Sequence, residues 1–252
     1  MMFPVEGYDD RSYGRAFADV YDEWYAGISD VSATVAELHA LALAAGNRRV
    51  LELGVGTGRL AVPLAAAGLE VHGVDASEEM LARLRSNDPE GRVRAYGGDM
   101  VEDLPPGPFG VVFAVYNTLF NLRTEERQAA CFAAVAARLS AGAVFVVEAF
   151  VPDARRGDDV SLRSMTADRV VLSVSRHDRA RQLAEGQFVE LTEAAGVRLR
   201  PWAIRWSTPE QLDEMARRAG LCLQARTADF AGAPFDGDSV THVSRYHCRD
   251  AI

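Results

Sequence analysis

The stretch Val50-Leu51-Glu52-Leu53-Gly54-Val55-Gly56-Thr57-Gly58 constrains the fold most, because a short apolar run opens directly into three alternate glycines. Val50, Leu51 and Leu53 read as a buried strand. The glycines read as a tight turn that lets a ligand approach bare backbone, and Leu60 to Ala67 as the following helix. That order puts a nucleotide-type site at the strand's carboxyl end. A second strand, Glu70 to Val74, ends in Asp75, which is placed to accept hydrogen bonds from ribose hydroxyls. The unit predicts an α/β chain that binds a nucleoside.

Two common nucleotide motifs are excluded. The third glycine of a dinucleotide fingerprint would fall at Arg59, and Gly58 comes one residue early. A phosphate loop needs a lysine after its glycines, and all 27 basic residues of this chain are arginine. Glu52, just before the glycines, would repel a pyrophosphate but suits a cationic or amine-bearing ligand.

Glu52 to Gly58 resembles motif I of the class I S-adenosylmethionine-dependent methyltransferases. The resemblance extends over Asp75 at the end of strand two, Gly98-Asp99-Met100 after a third strand at Val93 to Tyr96, and a fourth strand at Phe109 to Val115 before Asn117. It takes in the loop Pro105 to Phe109 and the run Leu139 to Glu148, read as helix end, turn and strand five, and so covers residues 8 to 150 well. It implies a Rossmann-like seven-stranded sheet, with S-adenosyl-L-methionine as cofactor. The implied cofactor-binding residues are Tyr13, Tyr21, Glu52, Gly54, Gly56, Gly58, Asp75, Ala76, Met80, Asp99, Met100 and Val115. Against this stand plainer roles: the glycines can serve packing, Asp75 and Asp99 can cap helices although Ser77 is the better cap, and Met80 can be core.

Tyr13 to Tyr25 and Ser32 to Ala45 read as N-terminal helices; the first is aromatic-rich and resembles the lid of sugar N-methyltransferases, which carry two tyrosines at the same spacing. The lid reading makes Tyr8 to Ile28 mobile until the cofactor binds; the alternative is a helix that packs Phe17, Tyr21 and Trp24. Four parts are expected: an N-terminal helical lid (1–45), a cofactor-binding core (46–152), an antiparallel β insertion (153–206), and a final helix and strands (207–252). Within the insertion, residues 153–160 read as a charged break. Arg169 to His177, Gln182 to Thr192 and Val197 to Trp206 read as strands with one wet face. The insertion would roof the active site or supply a homodimer interface, as in the methyltransferases the chain resembles. Pro209 to Arg218 reads as a helix, and Leu221 to Thr227 and His242 to Cys248 as closing strands.

A chain of 252 residues with net charge −9 is a poor partner for nucleic acid, whose phosphates need clustered basic residues. Cys131, Cys222 and Cys248 suggest neither a disulfide framework nor a zinc site, and no metal is expected. Neither a signal pattern in Met1 to Arg11 nor an apolar run of membrane-spanning length is present, so a cytoplasmic protein without membrane contact is expected. Transfer from a sulfonium requires an aligned nucleophile and, where that nucleophile carries a proton, a base. Candidates at the pocket mouth are Tyr25, Asn117, Asn121, Glu148 and His242, with Asn117 and Asn121 favoured for positioning. Tyr25, Phe120, Phe150 and Trp206 suggest an apolar acceptor pocket. The expected function is methyl transfer to a small-molecule amine, hydroxyl or activated carbon in natural-product metabolism; the alternative is a regulatory subunit that binds cofactor without turnover.

Overall fold

The computed structural model describes residues 5–153 and 155–248, so the part of the expected lid region before residue 5, the start of the Met1 to Arg11 segment included, lies outside the described residues. A seven-stranded sheet forms the centre, in the order β10-β11-β5-β4-β1-β2-β3. Its strands are β1 (Arg49–Leu53), β2 (Glu70–Asp75), β3 (Arg94–Gly97), β4 (Phe109–Ala114), β5 (Leu139–Phe150), β10 (Leu221–Thr227) and β11 (Thr241–Cys248). Strands β1 to β5 run parallel, and β11 lies antiparallel to β5 and β10. β1 sits between β2 and β4, so the strand order reverses there and opens a crevice at the carboxyl ends.

The central strands are buried on both sides, as their unbroken apolar runs require. Val50, Val71, Val111, Phe113, Val144 and Val146 pack on one face with helices α3 (Val31–Ala44) and α4 (Ala61–Ala66). On the other face, Leu51, Leu53, Val112, Phe145, Val147 and Tyr246 meet α6 (Glu125–Ala136) and α7 (Pro209–Arg218). Helix starts are fixed by side-chain caps. Ser77 accepts from the Met80 amide at 3.2 Å at the start of α5 (Glu78–Asn87), and Thr208 and Gln211 form a capping box on α7.

A separate antiparallel sheet follows β5: β6 (Asp159–Met165), β7 (Arg169–Asp178), β8 (Leu183–Thr192) and β9 (Gly196–Arg205). β6 takes up only the last two residues of the expected charged break and runs on through a segment where no strand was expected. Its alternation of Val160 and Leu162 with Ser161 and Arg163 is hidden in sequence by flanking charge, and as an edge strand it needs only one neighbour. Leu139 to Gly142, read as helix end and turn, instead enters β5, where Leu139 pairs with Phe109 before the register shifts.

The single lid helix read over Tyr13 to Tyr25 is two: α1 (Ser12–Phe17) and α2 (Tyr21–Tyr25). The break has a physical cause. Arg200, 1% exposed, binds Asp19 at 2.7 Å and also the Ala16 carbonyl, drawing the linking residues toward β9, while Val20 turns inward. Among the described residues no helix is long and apolar enough to cross a membrane.

Candidate active site

The glycine turn after β1 forms the floor of a cleft at the sheet reversal. Gly54 and Gly56 have φ of +67° and +54°, a region L side chains rarely adopt. A Cβ on Gly54 would lie 2.6 Å from the Thr118 methyl, whereas one on Gly56 would meet nothing nearer than a carbonyl at 3.9 Å. The backbone at Gly56 is therefore bare toward the cleft. Gly58 differs: its Cβ would press on Leu84 and Val62 at 3.0 and 3.1 Å, so it permits helix packing and does not face the cleft.

Asp75 closes the wall opposite. Its carboxylate accepts from the Gly56 amide at 2.8 Å and the Ser77 amide at 2.9 Å, one bond per oxygen, which leaves lone pairs for ligand hydroxyls. Burial nevertheless raises its pKa, outweighing both amides. Asp99 also lines the cleft. Its Oδ1 caps the turn through Val101 and Glu102, and its Oδ2 accepts from Arg127 of α6 at 2.5 Å.

Two ionisable side chains beside the cleft carry buried atoms that are incompletely matched. Glu52 is 5% exposed with Oε2 unpartnered, and Arg59 has Nε and Nη2 buried without acceptors among the described residues. Arg59 is held by its Nη1 bond to the Tyr25 carbonyl at 2.8 Å and lies 3.8 Å over the Tyr116 ring. Burial pushes the Glu52 carboxyl well above the usual carboxylate range, against the pull of Arg59. Orphaned polar atoms this deep cost on the order of 1–3 kcal/mol each, and a ligand carrying both an ammonium and a carboxylate would satisfy both residues.

The lid covers this floor closely. A Cβ on Gly14 would come within 2.2 Å of the Ser77 Cβ, so only glycine lets α1 settle here. Tyr13 and Tyr21 face the cleft with Met80, and Tyr13 donates to the Tyr25 hydroxyl at 3.1 Å. Phe17 and Trp24 turn away and pack edge-on against Phe188 at 5.8 Å each. The tyrosines of this segment thus turn toward the cleft, and Phe17 and Trp24 toward the insertion.

Of the residues named from sequence, the cleft brings together Tyr13, Tyr21, Gly54, Gly56, Asp75, Ala76, Met80, Asp99, Met100 and Asn121. Glu52 lies beneath it. Val115 is core at 2% exposure, away from the lining. Tyr25 accepts from the Tyr13 hydroxyl and packs at a tilt of 36° on Tyr21, with ring centroids 4.7 Å apart. Asn117 takes a left-handed conformation and spends its Oδ1 on the Phe150 amide at 2.7 Å, tying β4 to β5. Glu148 accepts from the Tyr116 amide at 3.0 Å and does not line the cleft. His242 does not line it either: paired with Ala149, it lies fully buried on the α7 side of the sheet and bonds Ser244 at 2.9 Å. Burial and Arg226 lower its pKa to about 4. Phe120, Phe150 and Trp206 pack into the core, so they do not wall an acceptor pocket. Nor does the insertion roof the cleft directly, since none of its described residues line it; it braces the lid from behind.

Sequence reasoning missed Tyr8, Asp10, Tyr116, Thr118 and Leu122, which also line the cleft. Tyr8 and Asp10 precede the lid helices and carry no periodic signal. Tyr116 is aimed by a positive φ of 54°, which nothing in its sequence announces for a non-glycine residue.

Residues 50–142 match the family model described as a methyltransferase domain. The cypemycin N-terminal methyltransferase of a Streptomyces species is 31% identical over 77% of this chain and 80% of its own length. The CcbJ methyltransferase of Streptomyces caelestis superposes with a TM-score of 0.87 at 40% identity, covering 96% of this chain and 99% of that one. The aminopentose methyltransferase CalS10 from Micromonospora echinaspora shares the fold, with a TM-score of 0.68 at 24% identity over 90% and 96% of the two chains. The regulatory, non-catalytic alternative finds no support in these relatives. With the glycine turn, Asp75 and the Glu52–Arg59 pair suited to the ribose and amino-acid ends of S-adenosylmethionine, the chain belongs to the class I S-adenosylmethionine-dependent methyltransferases and is an enzyme that uses that cofactor.

Proposed function

We propose that the enzyme methylates an amine nitrogen of a small natural-product molecule at the tyrosine-lined end of the cleft. The observation that carries this reading is the set of groups facing the acceptor space. Tyr8, Tyr13, Tyr21 and Tyr116 surround it, Asp10 and Asn121 stand at its rim, and neither Glu148 nor His242 faces it. Burial pushes the Tyr8 phenol up to about 12 and Tyr13 well above its ordinary value, so these hydroxyls stay protonated near neutrality and are poor bases. Bound cofactor supplies an electrophilic methyl on sulfur. The chain's part is alignment: phenol rings exclude water and attract a cationic amine by their faces, and Asn121 offers hydrogen bonds. Asp10 can receive the proton an ammonium sheds. An amine that carries a lone pair needs no stronger base. The relatives named for an N-terminal amine and an aminopentose point the same way.

The test is a comparison of variants on an amine acceptor. Asp10→Asn should raise KM several-fold with a smaller change in kcat, and Glu148→Gln and His242→Ala should keep full kcat. A loss of about 10²-fold or more in kcat for either of the latter would restore general-base catalysis.

The same reading includes a homodimer through the insertion. The sheet face turned from the lid exposes Val160, Leu162, Met165, Val197 and Leu199. Four strands of up to ten residues present roughly 600 Å² per copy, approaching the ~800 Å² per partner of a stable complex. Leu199→Glu should shift the sedimentation of a dimer to that of a monomer. Monomeric wild-type enzyme would remove this assignment.

A further inference from the structure

The lid-side face of the insertion sheet carries a second concavity. Pairing register sets Asp159 beside Ser175, Ser161 beside Ser173, Ser173 beside Phe188, and Gly186 beside Trp202, so these residues share one face. Trp202 lies across the neighbouring strand: a Cβ on Gly186 would come within 2.9 Å of two indole ring carbons and 2.2 Å of the Val174 carbonyl. Gly186 therefore lets the indole rest flat on the sheet as a platform. Around it, the hydroxyls of Ser161, Ser173 and Ser175 bond to no other protein group among the described residues, and the indole Nε1 is buried without a partner. Arg163 reaches in from β6, stacked 4.7 Å from the Phe188 ring and bonded to the Trp24 carbonyl at 3.4 Å. Phe188, which also packs on Phe17 and Trp24, closes the end nearest the lid.

An aromatic plate ringed by hydroxyls, carboxylates and a guanidinium matches a ring that is apolar on its faces and rich in both donors and acceptors at its rim. Asp158 and Asp159 share the concavity, which disfavours phosphate despite Arg156 and Arg163. We propose that this surface binds a neutral saccharide ring stacked on Trp202, at a recognition site distinct from the methyl-transfer cleft.

Saturation-transfer NMR on the whole protein, with methyl α-glucopyranoside as probe and inorganic phosphate as comparison, tests this. Saturation should reach the glycoside ring protons, persist when S-adenosylhomocysteine fills the cleft, and weaken about tenfold in affinity in both Trp202→Ala and the double variant Ser173→Ala/Ser175→Ala, the cost of roughly one hydrogen bond or stacked ring. Calorimetry with S-adenosylhomocysteine should be unchanged in those variants, which shows them folded and keeps this result separate from that of the methyltransferase reading. No transfer to the glycoside, displacement by S-adenosylhomocysteine, undiminished binding in the folded variants, or binding of phosphate in its place would each overturn the proposal.

Discussion

Arg59 is the residue whose removal separates two roles most cleanly. If its unpartnered Nε and Nη2 take the ligand carboxylate, Arg59→Met should weaken S-adenosylhomocysteine by roughly 1.5–3 kcal/mol, the range for a hydrogen bond to a charged group. Binding of 5′-methylthioadenosine, which lacks the amino-acid end, should stay the same. Equal losses for both ligands would mean that Arg59 acts through its hold on Tyr25 and Tyr116. At this scale the glycine turn and Asp75 were legible because backbone freedom and a strand-end acid are local properties. Glu148 and His242 were not, because which face a strand residue presents depends on register, and register is set by partners far along the chain. His242 points toward α7 because it pairs with Ala149.

Between elements, the decisive link joins lid and insertion. Arg200 of β9 bonds Asp19 and Glu190 at 2.7 Å each, Arg198 reaches Asp19, and Arg169 of β7 reaches Glu23 at 2.6 Å. The partners at the rim are partly exposed and contribute little, but truncating Arg200 leaves the buried Glu190 without its close partner. Arg200→Met should lower stability to urea by about 3 kcal/mol. In hydrogen exchange, amides of α1, α2, β8 and β9 should lose protection together. Loss confined to the lid would show that lid and insertion open independently. The insertion strands β7 to β9 could be read from alternation, whereas β6 and the break between α1 and α2 could not. Both depend on contacts across the fold: β6 on pairing with β7, the break on an arginine 181 residues beyond Asp19.

For the whole molecule, the core strands were legible because parallel, doubly covered strands announce themselves as apolar runs, whereas the seven-stranded sheet was implied by the family resemblance and its order emerges only in the fold. Its stability should depend on pH through the buried His242. The folded-state pKa near 4 lies below the ordinary 6.5, so between those values the unfolded chain binds the extra proton. Stability from this group is therefore intact above about pH 6.5 and is lost as pH falls toward 4, by about 3 kcal/mol in all. Thermal unfolding of His242→Asn across that window should show a shallower slope than the parent, and identical slopes would place the acid sensitivity elsewhere.

The central claim is methyl transfer to nitrogen at the tyrosine-lined cleft. Incubating the enzyme with trideuteriomethyl S-adenosylmethionine and paired acceptors, alike except that one bears an amine where the other bears a hydroxyl, and locating the label by fragmentation mass spectrometry, tests it most directly. The account predicts the heavy methyl on the amine nitrogen, with the hydroxyl partner unlabelled and labelling abolished by excess S-adenosylhomocysteine. Label on oxygen or carbon, with the amine untouched, would contradict it.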